Sequence, residues 1–397
     1  MVIKMNTIET YLSNDDTSVC RNDITTPMGL VREIVDAIPD RIYRDGMKIL
    51  DPCVGMGNFL IYLRDKVKSM SVNAELIGTD INHARIEIAR ELVPEATILE
   101  KSFFDMQNDL YDIIIANPPY AKITDGKRAS KNHNIFPEFI LKSIDMLTNG
   151  GAIAFLCPTS WMSLSDRNIV SQKLTELNMT RLDIGTSKKW FSGVGSSFSW
   201  FICVKEPQCG KTNVSGKFGK YIYNENVELR NERFIPLLCS EMAMNIVKKM
   251  TSGKDVNTKR DKLAIETSSD LHAYTKKSLL NNERSDDYPW KCIHTKRQTK
   301  WSRRPHKYQD GVKVFICLSS TYETWVDTCG MTQSVAFVRC ENEDQAKEVK
   351  EFLDSLAVRF VVAVTRYGNF TNIRVLQKLS RDVHFTQEEI EFMNKFV

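Results

Sequence analysis

The chain has 397 residues, with 54 Lys and Arg against 50 Asp and Glu, and a formal net charge of +4 at pH 7. Hydrophobic residues make up 42% and charged residues 26%, which is ordinary for a globular protein. No apolar run approaches the ~20 residues that a membrane helix needs, and the first residues lack the basic-then-apolar order of a signal peptide. We therefore expect a cytoplasmic protein without membrane attachment.

The cysteines and histidines give no sign of a metal or disulfide framework. Ten cysteines include no C-x-x-C pair, and the six histidines are scattered singly. This pattern predicts reduced thiols and no metal site.

The charge is unevenly placed, which bears on domain organisation. Residues 1–205 carry 23 Lys and Arg against 25 Asp and Glu, whereas residues 206–397 carry 31 against 25. The length accommodates two domains, and a basic second half favours a catalytic domain followed by one that meets a polyanion. A solvated basic surface is the alternative interpretation.

In chain order, short apolar runs alternate with helical patterns through the first half, which is typical of a parallel α/β sheet. Thr26-Pro27 predicts a helix start, with threonine as cap and proline in the first turn. Strands are expected at Met47–Leu50, Leu76–Thr79, Ala96–Leu99, Asp112–Ala116, Ala152–Cys157, Val312–Leu318 and Gln333–Val338, and helices after Gly57, over 83–92, from Phe136 and over 344–362. The predicted domains are 1–205 and 231–397, joined by a polar linker over 206–230.

The first strand leads into a glycine-containing loop. The strand runs into Asp51, and Gly55 and Gly57 then permit a tight turn where backbone can approach a ligand. A dinucleotide fingerprint would need glycine at position 60, where Leu60 stands. An acid followed by G-x-G favours a cofactor with a cationic aminoacyl end and no phosphate, such as S-adenosylmethionine.

The second strand ends in Asp80. A carboxylate at this position can accept hydrogen bonds from both hydroxyls of a ribose, although a helix N-cap is an equally good reading of the residue in isolation. Asp80 follows Asp51 by one strand–helix–strand unit, which favours the ribose contact.

The fourth strand ends in Asn117-Pro118-Pro119-Tyr120. An exocyclic amine on an aromatic base is a poor nucleophile because its lone pair is delocalised into the ring. The Asn117 side-chain oxygen and the Pro118 carbonyl would localise that lone pair by accepting its two N–H bonds. The prolines add no competing donor, and Tyr120 offers a flat face. The pattern predicts methyl transfer by positioning rather than by a general base; a strand-terminating turn is the alternative.

Over residues 22–205 this order of motifs resembles the N6-adenine DNA methyltransferases, in the group that places its cofactor motifs first and its target-recognition region last. The resemblance implies a Rossmann-like α/β methyltransferase sheet with a second, α+β target-recognition domain, and methylation of adenine in duplex DNA by base flipping. It assigns cofactor contacts to Thr26, Asp51, Pro52, Cys53, Gly55, Gly57, Asp80, Ile81, Ser102 and Phe103, catalysis to Asn117, Pro118, Pro119 and Tyr120, and stacking on the target base to Tyr120 and Phe191.

One position departs from the family pattern. The family often has an acid just before a phenylalanine after the third strand, where it binds the cofactor adenine. Here Ser102 precedes Phe103, and Asp105 comes three residues later. Either Ser102 replaces the acid with a weaker hydrogen bond, or Asp105 takes its place.

A basic stretch in the second half is the candidate DNA surface. Lys291–Lys313 holds eight Lys and Arg against one acid, with two aromatic residues among them. Base flipping costs a few kcal/mol that contacts to the DNA must repay. The predicted contacts are Arg297, Lys300, Trp301, Arg303, Arg304 and Lys307. The shorter basic stretch Lys122–Lys131 either closes over the flipped base or is a solvent loop.

Other functions use the same tetrapeptide. Methyltransferases of the glutamine amide of release factors and of the guanine amine of ribosomal RNA also act on conjugated nitrogens, but they usually carry a substrate domain ahead of the cofactor loop. A non-catalytic DNA-binding relative is the alternative from another class. We expect duplex DNA as the partner of a monomeric enzyme, with or without a cognate restriction endonuclease.

Overall fold

The computed structural model describes residues 25–120, 123–124, 127–128, 134–165, 168–191, 197–251, 263–319 and 321–397. The chain divides into two compact units. The first comprises Met1–Trp161 with Asn168–Arg233, and the second Met162–Arg167 with Phe234–Val397. None of the helices in the described ranges is both long enough and apolar enough to cross a membrane.

The first unit alternates strands and helices along most of its length. Its helices are α1 (Met28–Asp36), α2 (Asn58–Ser69), α3 (His83–Leu92), α4 (Phe136–Asp145) and α5 (Val170–Glu176). Its strands are β1 (Met47–Asp51), β2 (Ala74–Asp80), β3 (Thr97–Glu100), β4 (Tyr111–Ala116), β5 (Ile123–Thr124), β6 (Lys127–Arg128), β7 (Leu147–Pro158), β8 (Leu177–Ile184), β9 (Phe198–Pro207), β10 (Thr212–Phe218) and β11 (Tyr221–Val227). Strands β5 and β6 pair with each other; the rest of the basic stretch 122–131 lies outside the described residues.

Nine strands of the described ranges form one sheet, in the order β11-β10-β8-β9-β7-β4-β1-β2-β3. Neighbouring strands from β7 to β3 are parallel, whereas β9 is antiparallel to β7 and β8, and β11 is antiparallel to β10. The register pairs Asp51 of β1 with Gly78 of β2, and Leu50 of β1 with Ile114 of β4. The carboxyl ends of these three strands therefore meet at one edge of the sheet, where α/β folds bind their ligands.

The middle of the sheet is apolar, as the sequence pattern predicts. Strand β4 is buried along its whole length, and Leu30 of α1 and Leu60 of α2 pack in the same hydrophobic cluster as Ile113. Continuous apolar runs are typical of parallel strands that are covered on both faces. This α/β sheet is the fold class that the resemblance implies.

The expectation of a linker over 206–230 is wrong. This stretch contains the end of β9 and the whole of β10 and β11, which extend the sheet as an antiparallel hairpin. The hairpin turns at Gly219, whose φ of +59° suits glycine. Its polar character reflects a partly exposed position at the edge of the sheet rather than a lack of structure.

The expected N-terminal cap is also placed differently. Pro27 occupies the N-cap position of α1, and no side chain caps the helix. The Thr26 hydroxyl instead accepts a hydrogen bond from Asn117 Nδ2 at 3.1 Å. Because Thr26 lies before the cap, its side chain is available to the end of β4.

The second unit mixes small sheets with helices, an α+β arrangement. Its helices are α6 (Glu241–Thr251), α7 (Glu343–Leu353), α8 (Leu356–Val364), α9 (Ile373–Leu376) and α10 (Gln387–Asn394). Its strands are β12 (Glu266–Thr267), β13 (Leu280–Asn281), β14 (Trp290–Thr295), β15 (Gln298–Ser302), β16 (Lys313–Cys317), β17 (Thr324–Asp327), β18 (Gly330–Met331) and β19 (Val335–Arg339). In the described ranges they form two four-stranded sheets, β12-β19-β16-β17 and β13-β15-β14-β18.

The single helix predicted over 344–362 is two helices. Helix α7 ends at Leu353, and α8 begins at Leu356. The Ser355 hydroxyl accepts a hydrogen bond from Val358 N at 3.5 Å and so caps the new helix. The apolar periodicity continues through the break, which is why the sequence pattern alone does not reveal it.

Candidate active site and nucleic-acid interface

A cleft lies at the carboxyl edge of the sheet in the first unit. It receives residues from the segment before α1, the end of β1, the loop into α2, helix α3 and the end of β4. Its lining consists of Thr25, Thr26, Asp51, Cys53, Val54, Gly55, Met56, Asn58, Phe59, Arg85 and Asn117. The structure thus brings the predicted catalytic Asn117 into the same cleft as the predicted cofactor loop.

The loop between β1 and α2 is shaped by its two glycines. Gly55 has φ +52° and Gly57 has φ +91°, a region that favours glycine because other residues carry a Cβ atom. Gly57 stands at the N-cap of α2, and Val54 N donates to Thr79 O at 2.9 Å. The turn therefore brings backbone against the end of β2 and exposes the cleft beside it.

Asp80 holds this loop in place. One oxygen of its carboxylate accepts from Gly55 N at 2.9 Å, and the other accepts from Asn82 N at 2.9 Å. Each carboxylate oxygen has a further lone pair, so the group can still accept from a ligand. The sequence indicated a ribose-binding acid but did not reveal this structural role.

Asp51 is a buried acid in the wall of the cleft. Its side chain is 1% exposed, and its Oδ1 accepts from Cys53 N at 3.1 Å. Burial is the main cause that raises the pKa of Asp51 to about 8; the Cys53 amide opposes this rise, and the nearby carboxylate of Asp80 adds to it. A buried carboxyl of this kind is stabilised in its ionised form by a cation.

Asn58, which the sequence analysis did not single out, contributes an unused acceptor. Its Nδ2 donates to the Thr26 carbonyl at 2.8 Å. Its Oδ1 is buried and lacks a hydrogen-bond partner among the described residues. Buried polar atoms are normally paired, so this oxygen, in a side chain that lines the cleft, fits a ligand that carries hydrogen-bond donors. An ammonium group satisfies both this requirement and that of Asp51.

The predicted cofactor residues that follow β2 and β3 differ in how available they are to a ligand. Ile81 is 78% exposed, so its apolar side chain is open to a ligand. Ser102 Oγ accepts from Phe104 N at 3.2 Å, and the Phe103 ring is buried and stacked on Phe139 at 5.2 Å between centroids. Asp105 is exposed. Ile81 therefore offers the most open surface of this group.

The remaining predicted loop residues, Pro52 and Cys53, lie at the end of β1. Pro52 is buried, and its carbonyl accepts from the Thr79 hydroxyl at 3.1 Å. Cys53 is partly exposed and lines the cleft. Pro52 thus ties the loop to β2 through its backbone, whereas Cys53 faces the ligand space.

The tetrapeptide after β4 forms a local hydrogen-bonded unit. Tyr120 Oη donates to Asn117 Oδ1 at 2.7 Å, while Asn117 Nδ2 donates to the Thr26 hydroxyl. Pro118 is buried and Pro119 is exposed. Burial raises the pKa of Tyr120 well above its usual value, so the phenol keeps its proton and remains a donor.

Three aromatic rings pack next to one another, beginning with Tyr120 of the tetrapeptide. Phe198 lies 5.6 Å from Tyr120 and 5.1 Å from Phe191, measured between ring centroids. Phe191 itself is only 5% exposed. The predicted stacking pair is thus joined by Phe198, which the sequence analysis missed; the nearly continuous apolar run of β9 is the signal that would have placed Phe198 inside. Residues 192–196, which follow Phe191, lie outside the described residues.

The predicted DNA-binding stretch of the second unit is mostly a β-hairpin. Strands β14 and β15 pair directly and leave Lys296 and Arg297 at the turn, where both are exposed. Lys296 Nζ lies 3.2 Å from Glu323. Among the described residues no ion pair involves Arg297. Arg297 therefore presents its guanidinium to solvent at the tip of the hairpin.

Other cations of this stretch bind within the unit. The Arg304 guanidinium pairs with Asp270 at 2.7 Å and holds the pKa of that carboxyl well below its usual range. Lys313 is fully buried, and its Nζ donates to three backbone carbonyls at 2.6 to 3.0 Å. Lys300 donates to the Asn282 side chain. These side chains stabilise the folded unit. The charge pattern of the sequence does not distinguish such internal contacts from contacts with DNA.

Three further residues that were predicted to contact DNA take part in contacts between a cation and an aromatic ring. Arg303 lies over the ring of Tyr288 at 4.9 Å and Lys307 over that of Tyr308 at 4.6 Å. Trp301, which is half-buried, is covered by Arg284 at 5.5 Å. Arg303 and Lys307 are exposed. A cation that rests on a ring keeps its charge available to an anion.

The first unit combines a largely parallel sheet with a glycine loop after β1 and an acid after β2. These are the features that the sequence resemblance implies for an S-adenosylmethionine-dependent methyltransferase. Residues 56–191 match the model of the Eco57I restriction-modification methylase family.

The chain is also similar to individual type II methyltransferases. The chain is 24% identical over 249 residues to the type II methyltransferase M.VspI of Vibrio sp. (strain 343), covering 57% of this chain and 59% of that protein. It is 25% identical over 182 residues to a type II methyltransferase of Thermus thermophilus, covering 40% of each. The matches therefore span less than two thirds of the length of these relatives.

A solved structure resembles the chain over most of its length. The type IIL restriction-modification enzyme MmeI, determined in complex with DNA, superposes with a TM-score of 0.53 at 10% identity. The match covers 93% of this chain and 76% of MmeI. At this identity the similarity concerns the fold.

Proposed function

We propose that the protein is a site-specific DNA methyltransferase that transfers a methyl group from S-adenosylmethionine to the N6 amine of adenine. The observation that carries the proposal is the position of Asn117, which lines the same cleft as Asp51 and Gly55. The tetrapeptide that binds a conjugated amine and the loop that binds the methyl donor thus share one space.

The cleft fits the cofactor on its own chemistry. S-adenosylmethionine carries an ammonium and a sulfonium, and when bound it supplies the methyl group. Asp51 is a buried acid that a cation stabilises, and Asn58 Oδ1 is a buried acceptor that needs a donor. We assign the aminoacyl end to these two residues, the ribose to Asp80, and the adenine to Ile81.

The chain's own groups would act on the target base by positioning. Asn117 Oδ1 and the Pro118 carbonyl accept the two N–H bonds of the adenine amine, which localises the nitrogen lone pair toward the methyl donor. Tyr120 supports the face of the base. The proton that the amine loses on methylation passes to solvent, so no side chain in the cleft has to serve as a general base.

A base inside a duplex reaches such a cleft only by leaving the stack. We propose that the second unit provides the contacts that repay this cost, with Arg297, Arg303 and Lys307 on the DNA. The relatives from Vibrio and Thermus thermophilus are named type II methyltransferases; by that likeness we propose duplex DNA as substrate and a cognate restriction endonuclease as the enzyme's counterpart.

The test is a methylation assay with the full chain. Unmethylated genomic DNA is incubated with the protein and methyl-labelled S-adenosylmethionine, and the nucleosides are separated by mass spectrometry. The expected labelled nucleoside is that of N6-methyladenine, and sequencing of the intact modified DNA should place it at a defined sequence. Label in cytosine, or no label in the DNA, would make the proposed substrate wrong.

The matched control is Asn117→Ala, which removes the acceptor at the end of β4. We expect loss of methyl transfer with cofactor affinity kept within about threefold, because the cofactor contacts lie on β1, β2 and α2 and not on this amide. Calorimetric titration with S-adenosylmethionine measures the affinity. Methyl transfer at the wild-type rate would refute the assigned role of Asn117.

A further inference from the structure

The Asn117 side chain is held at both ends by hydroxyl groups. Its Nδ2 donates to Thr26 Oγ1 at 3.1 Å, and its Oδ1 accepts from Tyr120 Oη at 2.7 Å. Thr26 is 5% exposed, and Tyr120 packs against the buried ring of Phe198. The two hydroxyls reach the amide from different parts of the chain, 91 residues apart for Thr26 and three for Tyr120.

The orientation of this amide decides whether it can act. The two ends of an asparagine amide have nearly the same shape, and the torsion that exchanges them is soft. With Oδ1 toward the base, the amide accepts an N–H bond. With Nδ2 toward the base, it presents a donor to an amine that is itself a donor, and the contact is repulsive. A group that fixes the amide therefore acts on the chemical step without touching the base.

We propose that Thr26 is a positioning residue for catalysis, whose hydroxyl accepts from Asn117 Nδ2 and so keeps Oδ1 aimed at the target amine. Tyr120 acts at the other end. Its hydroxyl occupies Oδ1 until the adenine amine replaces it as donor, and thereby holds the amide in its active orientation before the base arrives. The inference rests on the proposed function and adds to it the device that sets the catalytic side chain.

The local chain explains why Thr26 can do this. Pro27 begins helix α1 in place of a side-chain cap, so the Thr26 hydroxyl is not used by the helix. The Thr26 carbonyl accepts from Asn58 Nδ2 at 2.8 Å, which fixes the backbone of the residue from the other side. The hydroxyl is therefore presented by an anchored segment. The sequence resemblance implied a contact of Thr26 with the cofactor; the hydrogen bond from Asn117 gives its hydroxyl oxygen a further role.

The first variant is Thr26→Val, which keeps the shape of the side chain and removes the acceptor. One hydrogen bond is worth about 1 kcal/mol, so we expect kcat to fall about fivefold to tenfold. The affinity for S-adenosylmethionine and the KM for DNA should stay within about twofold, because the amide acts on the methyl-transfer step. Thr26→Ser retains the hydroxyl and should restore most of kcat.

Thr175→Val is the matched control for the loss of a buried threonine hydroxyl. Thr175 is fully buried in the same unit, and its hydroxyl donates to the carbonyls of Gln172 and Glu232, residues that do not line the cleft. This variant should keep the wild-type kcat even if its melting temperature falls. Thr26→Val should show the reverse, a kcat effect that its melting temperature does not explain.

A double-mutant cycle with Tyr120→Phe tests whether the two hydroxyls hold one amide. Either hydroxyl alone retains part of the orientation, so Thr26→Val combined with Tyr120→Phe should lose more kcat than the product of the two single losses. Losses that simply multiply would show that the hydroxyls act independently and would overturn the proposal.

Two other results would also overturn it. If Thr26→Val weakens cofactor binding and leaves kcat unchanged at saturating cofactor, the hydroxyl is a cofactor contact. If Thr26→Ser fails to restore kcat, the hydroxyl is not the acting group. An inactive wild-type protein would instead refute the proposed function, so the two failures are distinguishable.

Discussion

Replacing Asp51 with asparagine should stabilise the protein at neutral pH while weakening cofactor binding. In the folded protein burial raises the pKa of the Asp51 carboxyl to about 8 from its ordinary value of 3.8. At a pH between these two pKa values, the carboxyl has lost its proton in the unfolded state and retains it in the folded state. Stability is therefore lost as pH rises from about 4 to about 8, since the unfolded state binds fewer protons.

The size of the effect follows from this pH window. One pH unit within it costs about 1.4 kcal/mol, so the buried carboxyl costs of the order of 4 kcal/mol at pH 7. Asparagine removes this cost and keeps the oxygen that accepts from Cys53 N. Its new Nδ2 needs a partner, however, and an unpaired donor costs about 2 kcal/mol. The net gain at pH 7 is then about 2 kcal/mol, or roughly 4 to 8 °C in melting temperature for a unit of this size.

The assay is thermal unfolding of the full chain and of Asp51→Asn between pH 4 and pH 8. The variant should be no more stable than the wild type at pH 4 and should gain steadily above it. Asp65→Asn, which removes an exposed carboxylate on α2, serves as the control for a change in net charge. A difference between variant and wild type that does not change with pH would refute the assignment of a protonated Asp51.

The same carboxyl links cofactor binding to pH. A cation favours the ionised form, so binding of S-adenosylmethionine should release a proton below about pH 8, and affinity should rise with pH up to that value. Calorimetry in two buffers of different ionisation enthalpy measures the released proton. Asp51→Asn should bind more weakly and release none; proton release that persists in the variant would point to another group.

Further predictions concern the DNA surface, the loop and the adenine. Arg297→Ala should weaken DNA binding and reduce the slope of log K against log salt by about 1. Arg304→Ala should mainly lower the melting temperature, because Arg304 pairs with Asp270. Fluorescence anisotropy titrations over a salt series measure both slopes, and an equal reduction of the slope in the two variants would contradict the structural role of Arg304. Gly57→Ala places a Cβ at φ +91° and should lower the free energy of unfolding by about 1 to 2 kcal/mol. Chemical denaturation measures this difference, and an unchanged free energy of unfolding would contradict the expected strain. Ile81→Ser should raise the dissociation constant for S-adenosylmethionine about tenfold through lost apolar contact, and unchanged calorimetric affinity would remove Ile81 from the adenine site.

The central strands were predictable because of where they lie. Parallel strands covered on both faces are continuous apolar runs, so β1, β2, β4 and β7 each contain the stretch that the sequence predicts. The predicted fold class is confirmed. The hairpin of β10 and β11 was not found, because strands at the sheet edge carry polar residues and resemble a linker in composition.

The candidate site was predictable to the extent that it depends on strand ends. Asp51, Asp80 and Asn117 lie at strand ends, and the parallel topology brings such ends together without further information. The contacts of Thr26 with Asn117 and of Asn58 with Thr26 join residues far apart in the chain, and no local pattern encodes them. The roles assigned to these residues stay predictions.

The basic stretch shows where a charge count fails. Arg304 and Lys313 contribute to it as much as Arg297 does, yet one is paired with Asp270 and the other is fully buried. Charge patterns report how many cations a segment has, whereas binding depends on how many of them face solvent. Only tertiary contacts separate the two groups.

The hydrogen bonds of Asp80 have a consequence for how this site can change. The same carboxylate orders the glycine loop through Gly55 and begins the helix after β2 through Asn82. A substitution at Asp80 would therefore disturb the shape of the cleft as well as any contact with the ribose, and its effect on affinity would sum both losses. A residue that recognises a different sugar from this position would also have to rebuild the loop.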